Sequence, residues 1–258
     1  MNVIAFSLFG NSDIYSCGAV QNALLVKKIL PEWQAIFFVD ELVSISVLDT
    51  LGSLGAEVVQ MGESSGSSGA FWRFLAVERE GVERIIFRDT DSRISQREKV
   101  LLDEWTTSGK QLHIIRDHPF HAVLMLAGMW GVQGDVGINK VRVALETYKV
   151  ESRDTYGEDQ IFLEKEIYPI FTSKMMVHDA FFDFEPESCR PPRRDNGEFI
   201  GERINCQEEP EFSNRAALIR VEKNPLMLLV ARLRANQNRL GRRRTKLMSK
   251  ISRNSSPN

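Results

Sequence analysis

Cysteine is scarce in this chain and dispersed where it occurs: Cys17, Cys189 and Cys206 form no C-x-x-C pair. That spacing predicts neither a zinc site nor a disulfide framework, and with it a reducing, cytoplasmic setting. A basic leader is missing too, and the first apolar run breaks at Gly10-Asn11-Ser12, which argues against a secretory signal. No apolar stretch reaches the roughly 20 residues of a membrane-spanning helix. Neither an internal repeat nor a Gly-x-x-x-x-Gly-Lys-Ser/Thr phosphate loop is present. His118 and His121 lack the cysteine or third nearby histidine that would complete a zinc site.

What is present suits a globular α/β protein. A hydrophobic fraction of 43% against 26% charged residues is ordinary for a soluble chain, and 258 residues make one large domain or a domain with an appendage. The net charge of −2 conceals an asymmetry. Residues 220–258 carry 11 Lys/Arg against the single acid Glu222, leaving 22 basic and 34 acidic residues before them. An acidic body would repel nucleic acid, so a nucleic-acid-binding protein working through the tail is the weaker reading. Leu226, Leu228, Leu229, Val230 and Leu233 precede most of the tail's charge, and Pro225–Leu240 has helical periodicity. A basic amphipathic helix followed by a flexible cationic end suits an anionic membrane face, so a peripheral position on the inner membrane is expected alongside a cytoplasmic one.

Apolar runs at Val3–Phe9, Ala35–Val39, Glu57–Gln60, Arg84–Phe87 and Leu112–Ile115 read as strands. Val20–Leu30, Val43–Leu54, Phe71–Glu78 and Ser95–Trp105 read as helices, the last with Arg97-Glu98 on its exposed face. Alternation of the two predicts a mostly parallel, Rossmann-related sheet flanked by helices. Gly62–Gly69 is a Gly/Ser loop, and Glu187–Asn214 is polar and Pro-rich. Three regions follow: a catalytic domain at 1–185, a polar extension packing on it at 186–219, and the basic tail at 220–258.

Arg88-Asp89-Thr90-Asp91-Ser92-Arg93 is the most informative stretch. Strand side chains alternate, so Asp89 and Asp91 share one side where the strand of Ile85–Phe87 ends. Two adjacent carboxylates repel unless a cation lies between them, and hard oxygen ligands suit Mg²⁺ or Mn²⁺ shared with a substrate phosphate. Ligands of open α/β sheets bind outside the carboxyl ends of the strands, where this pair falls. The same pair at a strand end also serves as a helix cap or a solvated turn.

The D-x-D arrangement, together with Phe71-Trp72-Arg73-Phe74-Leu75, Glu104-Trp105, Ser108-Gly109-Lys110, His113–Pro119 and Gly128-Met129-Trp130-Gly131, resembles GT-A-fold bacterial glycosyltransferases of surface-polysaccharide loci over roughly residues 1–185. The resemblance implies a hexosyl-type transfer from a nucleoside-diphosphate sugar, a UDP-sugar foremost, to a glycan or lipid-linked acceptor. It implies Asp91 and Asp89 as ligands of Mn²⁺ or Mg²⁺, with His178 as a third. Arg73 and Arg88, with Asp89, would hold the donor, and Gly128 and Trp130 would line its sugar pocket. The acidic site Glu158-Asp159-Gln160 fits both the base of inverting enzymes and the sugar-contacting Asp-Gln of retaining ones, so Asp159 and Glu158 are the catalytic candidates. Asp159 can also cap the following helix. Asp117, His118 and His121 are expected near the acceptor. A haloacid-dehalogenase-like phosphatase with Asp89 as nucleophile is the rival enzyme. Its motif normally lies on the first strand, whereas three likely strands precede this one.

Overall fold

The computed structural model describes residues 1–63, 68–148, 157–224, 226–230 and 232–233. Residues 64–67 of the Gly/Ser loop, Tyr156, and most of the basic tail with its flexible end lie outside them; of the expected helix Pro225–Leu240, residues 226–230 and 232–233 are described and are helical.

Seven strands form one sheet: β1 (Asn2–Leu8), β2 (Trp33–Val39), β3 (Glu57–Gln60), β4 (Arg84–Arg88), β5 (Leu112–Arg116), β6 (Met129–Gln133) and β7 (Met175–Asp179). Their spatial order is β3-β2-β1-β4-β6-β5-β7. Every pairing is parallel except those of β6, which runs antiparallel between β4 and β5. The sheet is thus mixed and mostly parallel, flanked by helices, the fold class expected.

Strand alternation divides the core in two. Val3, Ala5, Ile85, Phe87, Ile114 and Trp130 face one side, packing on Phe74, Val77, Ile138 and Phe162. Ile4, Phe6, Phe37 and Ile86 face the other, against Ala19, Ala23 and Val26 of α1 (Asp13–Ile29) and Leu102 and Trp105 of α3 (Gln96–Thr107). Both faces being covered explains why the strands read as continuous apolar runs. Between β3 and β4 the chain forms a 3₁₀ helix, Ser68–Glu78, in place of the expected α-helix. Among the described residues up to Asn224 the remaining α-helices are α2 (Ile45–Ser53), α4 (Asp135–Thr147), α5 (Glu158–Phe162) and α6 (Phe212–Lys223), with a π-helical turn at Leu163–Ile167 and a 3₁₀ turn at Tyr168–Phe171 after α5.

Two expectations are overturned. Arg97 and Glu98 of α3 are buried. Ser95 caps this helix by accepting from the N–H of Glu98 at 3.1 Å, while the Glu98 carboxylate pairs with buried Arg88. Arg97 pairs with Asp117, and its Nε donates to the Pro192 carbonyl at 3.0 Å. The later polar segment covers this helix face, so a charged pair that reads as solvated is enclosed. The second correction concerns cysteine: Cys17 on α1 and Cys206 form a disulfide across 189 positions, with Cα atoms 5.7 Å apart. Only Cys189 is free. The dispersed spacing therefore does not support a reducing environment.

Buried Asp117, just beyond β5, fastens the polar segment to the sheet. One carboxylate oxygen accepts from Arg97 at 3.0 Å and Arg194 at 2.8 Å; the other accepts from the N–H of Ile200 at 2.9 Å and again from Arg97. Cys189 also hydrogen-bonds along β7, donating to the Val177 carbonyl at 2.8 Å and accepting from the Asp179 N–H at 2.9 Å. Phe181, Phe182, Phe184 and Phe199 form a satellite core with Leu218 and Val221 of α6. Asp117→Ala would leave two buried guanidinium groups without their shared counter-ion. We expect a loss of about 3–5 kcal/mol in unfolding free energy, measured as a lower urea midpoint at unchanged slope.

Candidate active site

Neighbouring parallel strands β1 and β4 end on the same side of the sheet, and the D-x-D loop leaves from there. Its backbone is shaped by a residue with no acidic or basic chemistry. Buried Asn22 of α1 donates to the carbonyls of Thr90 (3.1 Å) and Ser92 (2.8 Å) and accepts from the N–H of Ile94 (3.1 Å). Ser92 adds a bond to the Asp89 carbonyl at 3.1 Å. Two glycines let neighbouring chain approach closely: a Cβ at Gly18 would fall on the Thr90 carbonyl, and one at Gly128 on the Asp89 carboxylate. Here glycine is needed for space.

A cavity of about 470 Å³ opens above this loop, and Arg73, Asp89, Asp91, Glu158, Asp159 and His121 are among its walls. Buried Arg73 rises from the 3₁₀ helix and joins the two acidic sites. It pairs with Asp89, donates to Asp159 at 3.0 Å and to the Arg88 carbonyl at 3.2 Å, and its own N–H donates to Ser7 at 2.9 Å. Burial disfavours its charge, but the Asp89 and Asp159 carboxylates more than offset this and hold its pKa above the ordinary value. Both terminal nitrogens bond a carboxylate, so Arg73 positions Asp89 and Asp159, while its Nε–H has no hydrogen-bond partner among the described residues.

Asp159 sits in the first turn of α5, entered through Gly157 in the left-handed region (φ +84°). One oxygen accepts from Arg73 and the other from the N–H of Gln160 at 2.9 Å, so it braces the helix start while facing the cavity. Neighbouring Glu158 accepts from the Tyr148 hydroxyl.

Asp91 is the electrostatically strained member. Burial and, next, the Asp89 carboxylate push its pKa up to about 6, against the opposing pull of Arg203 at 3.3 Å. Two acids disfavouring each other's charge form a fitting seat for a divalent cation. The chain supplies hard oxygens there, and no group of three or more His, Cys, Asp or Glu ligands occurs among the described residues. The remaining coordination would come from water and phosphate, the habit of Mg²⁺ and Mn²⁺.

Several expected site residues stand elsewhere. His178, on β7 deep in the sheet, has both ring nitrogens engaged, Nδ1 with His113 at 2.8 Å and Nε2 with Glu104 at 2.9 Å. It does not join the aspartates. Arg88 is enclosed, spent on Glu98 and on the carbonyls of Phe87 (2.7 Å) and Gly128 (3.3 Å). Trp130 is wholly buried on β6, stacked on Phe87 at 4.1 Å between centroids, and faces no sugar. Gly128 is absent from the cavity walls and serves the close approach to Asp89. His118 is fixed through both nitrogens, accepting from the N–H of Phe120 at 3.1 Å and meeting the Asn214 carbonyl at 3.0 Å.

Ser7, Phe9 and Tyr15 also line the cavity and were not singled out from sequence. Applying the strand-end rule to β1 as well as to β4 would have found Ser7 and Phe9. Nothing in the sequence signals Arg203, which arrives on a distant segment.

No protein-family model and no curated protein matches this chain. Solved structures do. A glycosyltransferase involved in glycosylating the major capsid of PBCV-1 is similar at 12% identity, with a TM-score of 0.44, over 70% of this chain and 83% of its own. Glucosyl-3-phosphoglycerate synthase from Mycobacterium tuberculosis, solved with Mg²⁺ and UDP, is similar at 15% identity and a TM-score of 0.44, over 75% and 72%. The 4-diphosphocytidyl-2C-methyl-D-erythritol synthase of Anaerococcus prevotii is similar at 10% identity and a TM-score of 0.41, over 69% and 86%.

Two outcomes follow from the geometry. Gly128→Ala should displace the Asp89 carboxylate and weaken Mn²⁺ binding at least tenfold, read by isothermal titration, in a protein that stays folded. Cation binding should also depend on pH. A proton on Asp91 competes with the ion, so apparent Mn²⁺ affinity should be level above about pH 6 and fall as pH drops below it. Asp91→Asn should abolish that slope along with most of the affinity.

Proposed function

We propose that this chain is a metal-dependent glycosyltransferase that moves a sugar from a nucleoside-diphosphate sugar, a UDP-sugar foremost, to a glycan or lipid-linked acceptor in surface-polysaccharide synthesis. One observation carries the reading: Asp89 and Asp91 at the end of β4 and Asp159 at the start of α5 face one cavity, and Arg73 links Asp89 to Asp159. A phosphatase reading is less well supported, because the Arg73 guanidinium already engages Asp89, its required nucleophile.

In this reading Asp89 and Asp91 hold Mn²⁺ or Mg²⁺. The ion's contribution, when bound, is to neutralise charge on the departing nucleoside diphosphate. Asp159 works on the sugar side. Paired with Arg73, its carboxylate would accept a hydrogen bond or proton from a hydroxyl in the cavity. Ser7, Phe9 and Tyr15, on the β1 side of the cavity, are placed to receive the nucleoside. The cationic tail would keep the enzyme near acceptors carried on an anionic membrane face.

The two acidic sites should separate on mutation. Asp91→Ala should lose EDTA-sensitive nucleotide binding, seen as a vanished Mn²⁺-dependent thermal shift with UDP or GDP. Asp159→Asn should keep nucleotide affinity within a few-fold and lower transfer roughly a hundredfold or more, followed by nucleoside-diphosphate release. Near-normal transfer by Asp159→Asn would leave that residue a helix brace alone.

A further inference from the structure

Of the paired histidines in Asp117-His118-Pro119-Phe120-His121, one is spent on the backbone and the other is half free. His121 accepts the N–H of Asp117 at its Nδ1, at 3.1 Å. A ring nitrogen that accepts carries no proton, so the neutral imidazole has its hydrogen on Nε2. That nitrogen has no hydrogen-bond partner among the described residues, and His121 is one of the residues lining the cavity with Asp89, Asp91 and Asp159. Contacts with His118 (5.6 Å between centroids) and Phe199 (5.8 Å) fix the ring's plane. Burial, then the neighbouring His118 and Arg194, press its pKa down to about 3, so the ring stays neutral.

A neutral Nε2–H has no lone pair for a cation, which excludes a metal-ligand role in this tautomer. For the same reason that nitrogen cannot accept a proton, which excludes a general base. What remains is a hydrogen-bond donor in a cavity that also holds four carboxylates, Asp89, Asp91, Glu158 and Asp159. The group that satisfies both at once is a hydroxyl, which accepts from the imidazole and donates to a carboxylate. Leu126, Ala127 and Met129 line the same cavity and provide apolar surface for the C–H face of a sugar ring. We propose that His121 is a sugar-recognition residue whose Nε2–H donates to a hydroxyl of the sugar being transferred. The inference rests on the glycosyltransferase reading and adds to it a residue that discriminates the intact donor from its nucleotide.

The test is calorimetry with Mn²⁺, comparing UDP and GDP with UDP-glucose, UDP-galactose, UDP-N-acetylglucosamine and GDP-mannose. In His121→Asn the amide oxygen can keep the bond from the Asp117 N–H, but nothing reaches the Nε2 position. We expect nucleoside-diphosphate affinity within twofold of wild type and nucleotide-sugar affinity lower by about 5- to 10-fold, the effect of one lost hydrogen bond. His121→Gln, whose amide nitrogen reaches the Nε2 position, should recover most of that loss at an unchanged melting temperature. Equal weakening of both ligand classes, no change in either, or Gln behaving like Asn would overturn the assignment. Wild-type protein that binds nucleotides but no nucleotide sugar would also overturn it, leaving the diphosphate site standing. Wild-type protein that binds none of the panel would overturn the glycosyltransferase reading itself.

Discussion

The site depends on one buried cation. Arg73 gives its two terminal nitrogens to Asp89 and Asp159, carboxylates 70 positions apart. Burying a guanidinium is costly unless its charge is matched, and burying a carboxylate carries the same cost. The triad resolves both demands together, and it does so only when the 3₁₀ helix, the end of β4 and the start of α5 are all in place. Ser7, accepting the Arg73 N–H, ties β1 into the same arrangement.

A second ionic centre does for the far wall what Arg73 does for the floor. Asp117 draws in Arg97, Arg194 and the backbone of Ile200, and buried Arg116 pairs with Asp179 at 2.9 Å beside it. The segment fastened this way continues to Gly201, which lines the cavity, and to Arg203, which faces Asp91. It continues further to Ile204, whose N–H donates to the Asp91 carbonyl at 2.8 Å, and to Cys206, bonded to α1. A stretch that reads as a polar appendage is therefore one wall of the site.

The sequence made five of the seven strands legible, and β1, β2, β4 and β5 among them are mostly buried and appear as apolar runs. The ranges expected for β1 to β5 agree closely with those observed. It concealed β6 and β7. Met129-Trp130-Gly131-Val132-Gln133 carries a glycine and an indole that resemble pocket chemistry, and the histidine in Met175–Asp179 invites a ligand role. In both, packing inside the sheet decides the outcome. Charge was the other blind spot. Arg88, Arg97 and Glu98 carry side chains normally found in water, and only pairing partners distant in sequence make their burial tolerable. The Cys17–Cys206 link was hidden for the same reason, since spacing says nothing about which loops meet. Asp89 and Asp91 were legible because strand alternation and strand-end position are local properties, and His121 was separable from His118 only once the backbone donors were known.

The D-x-D loop is wedged between two glycines, Gly18 on α1 and Gly128 before β6, so main chain and carboxylate touch neighbouring backbone with no side chain between them. Such contacts offer no room for graded variation, since the smallest added group is already too large. Any change in what the cavity admits would have to come elsewhere on its wall, at positions such as 121, 126, 127 and 129, with positions 18 and 128 held fixed.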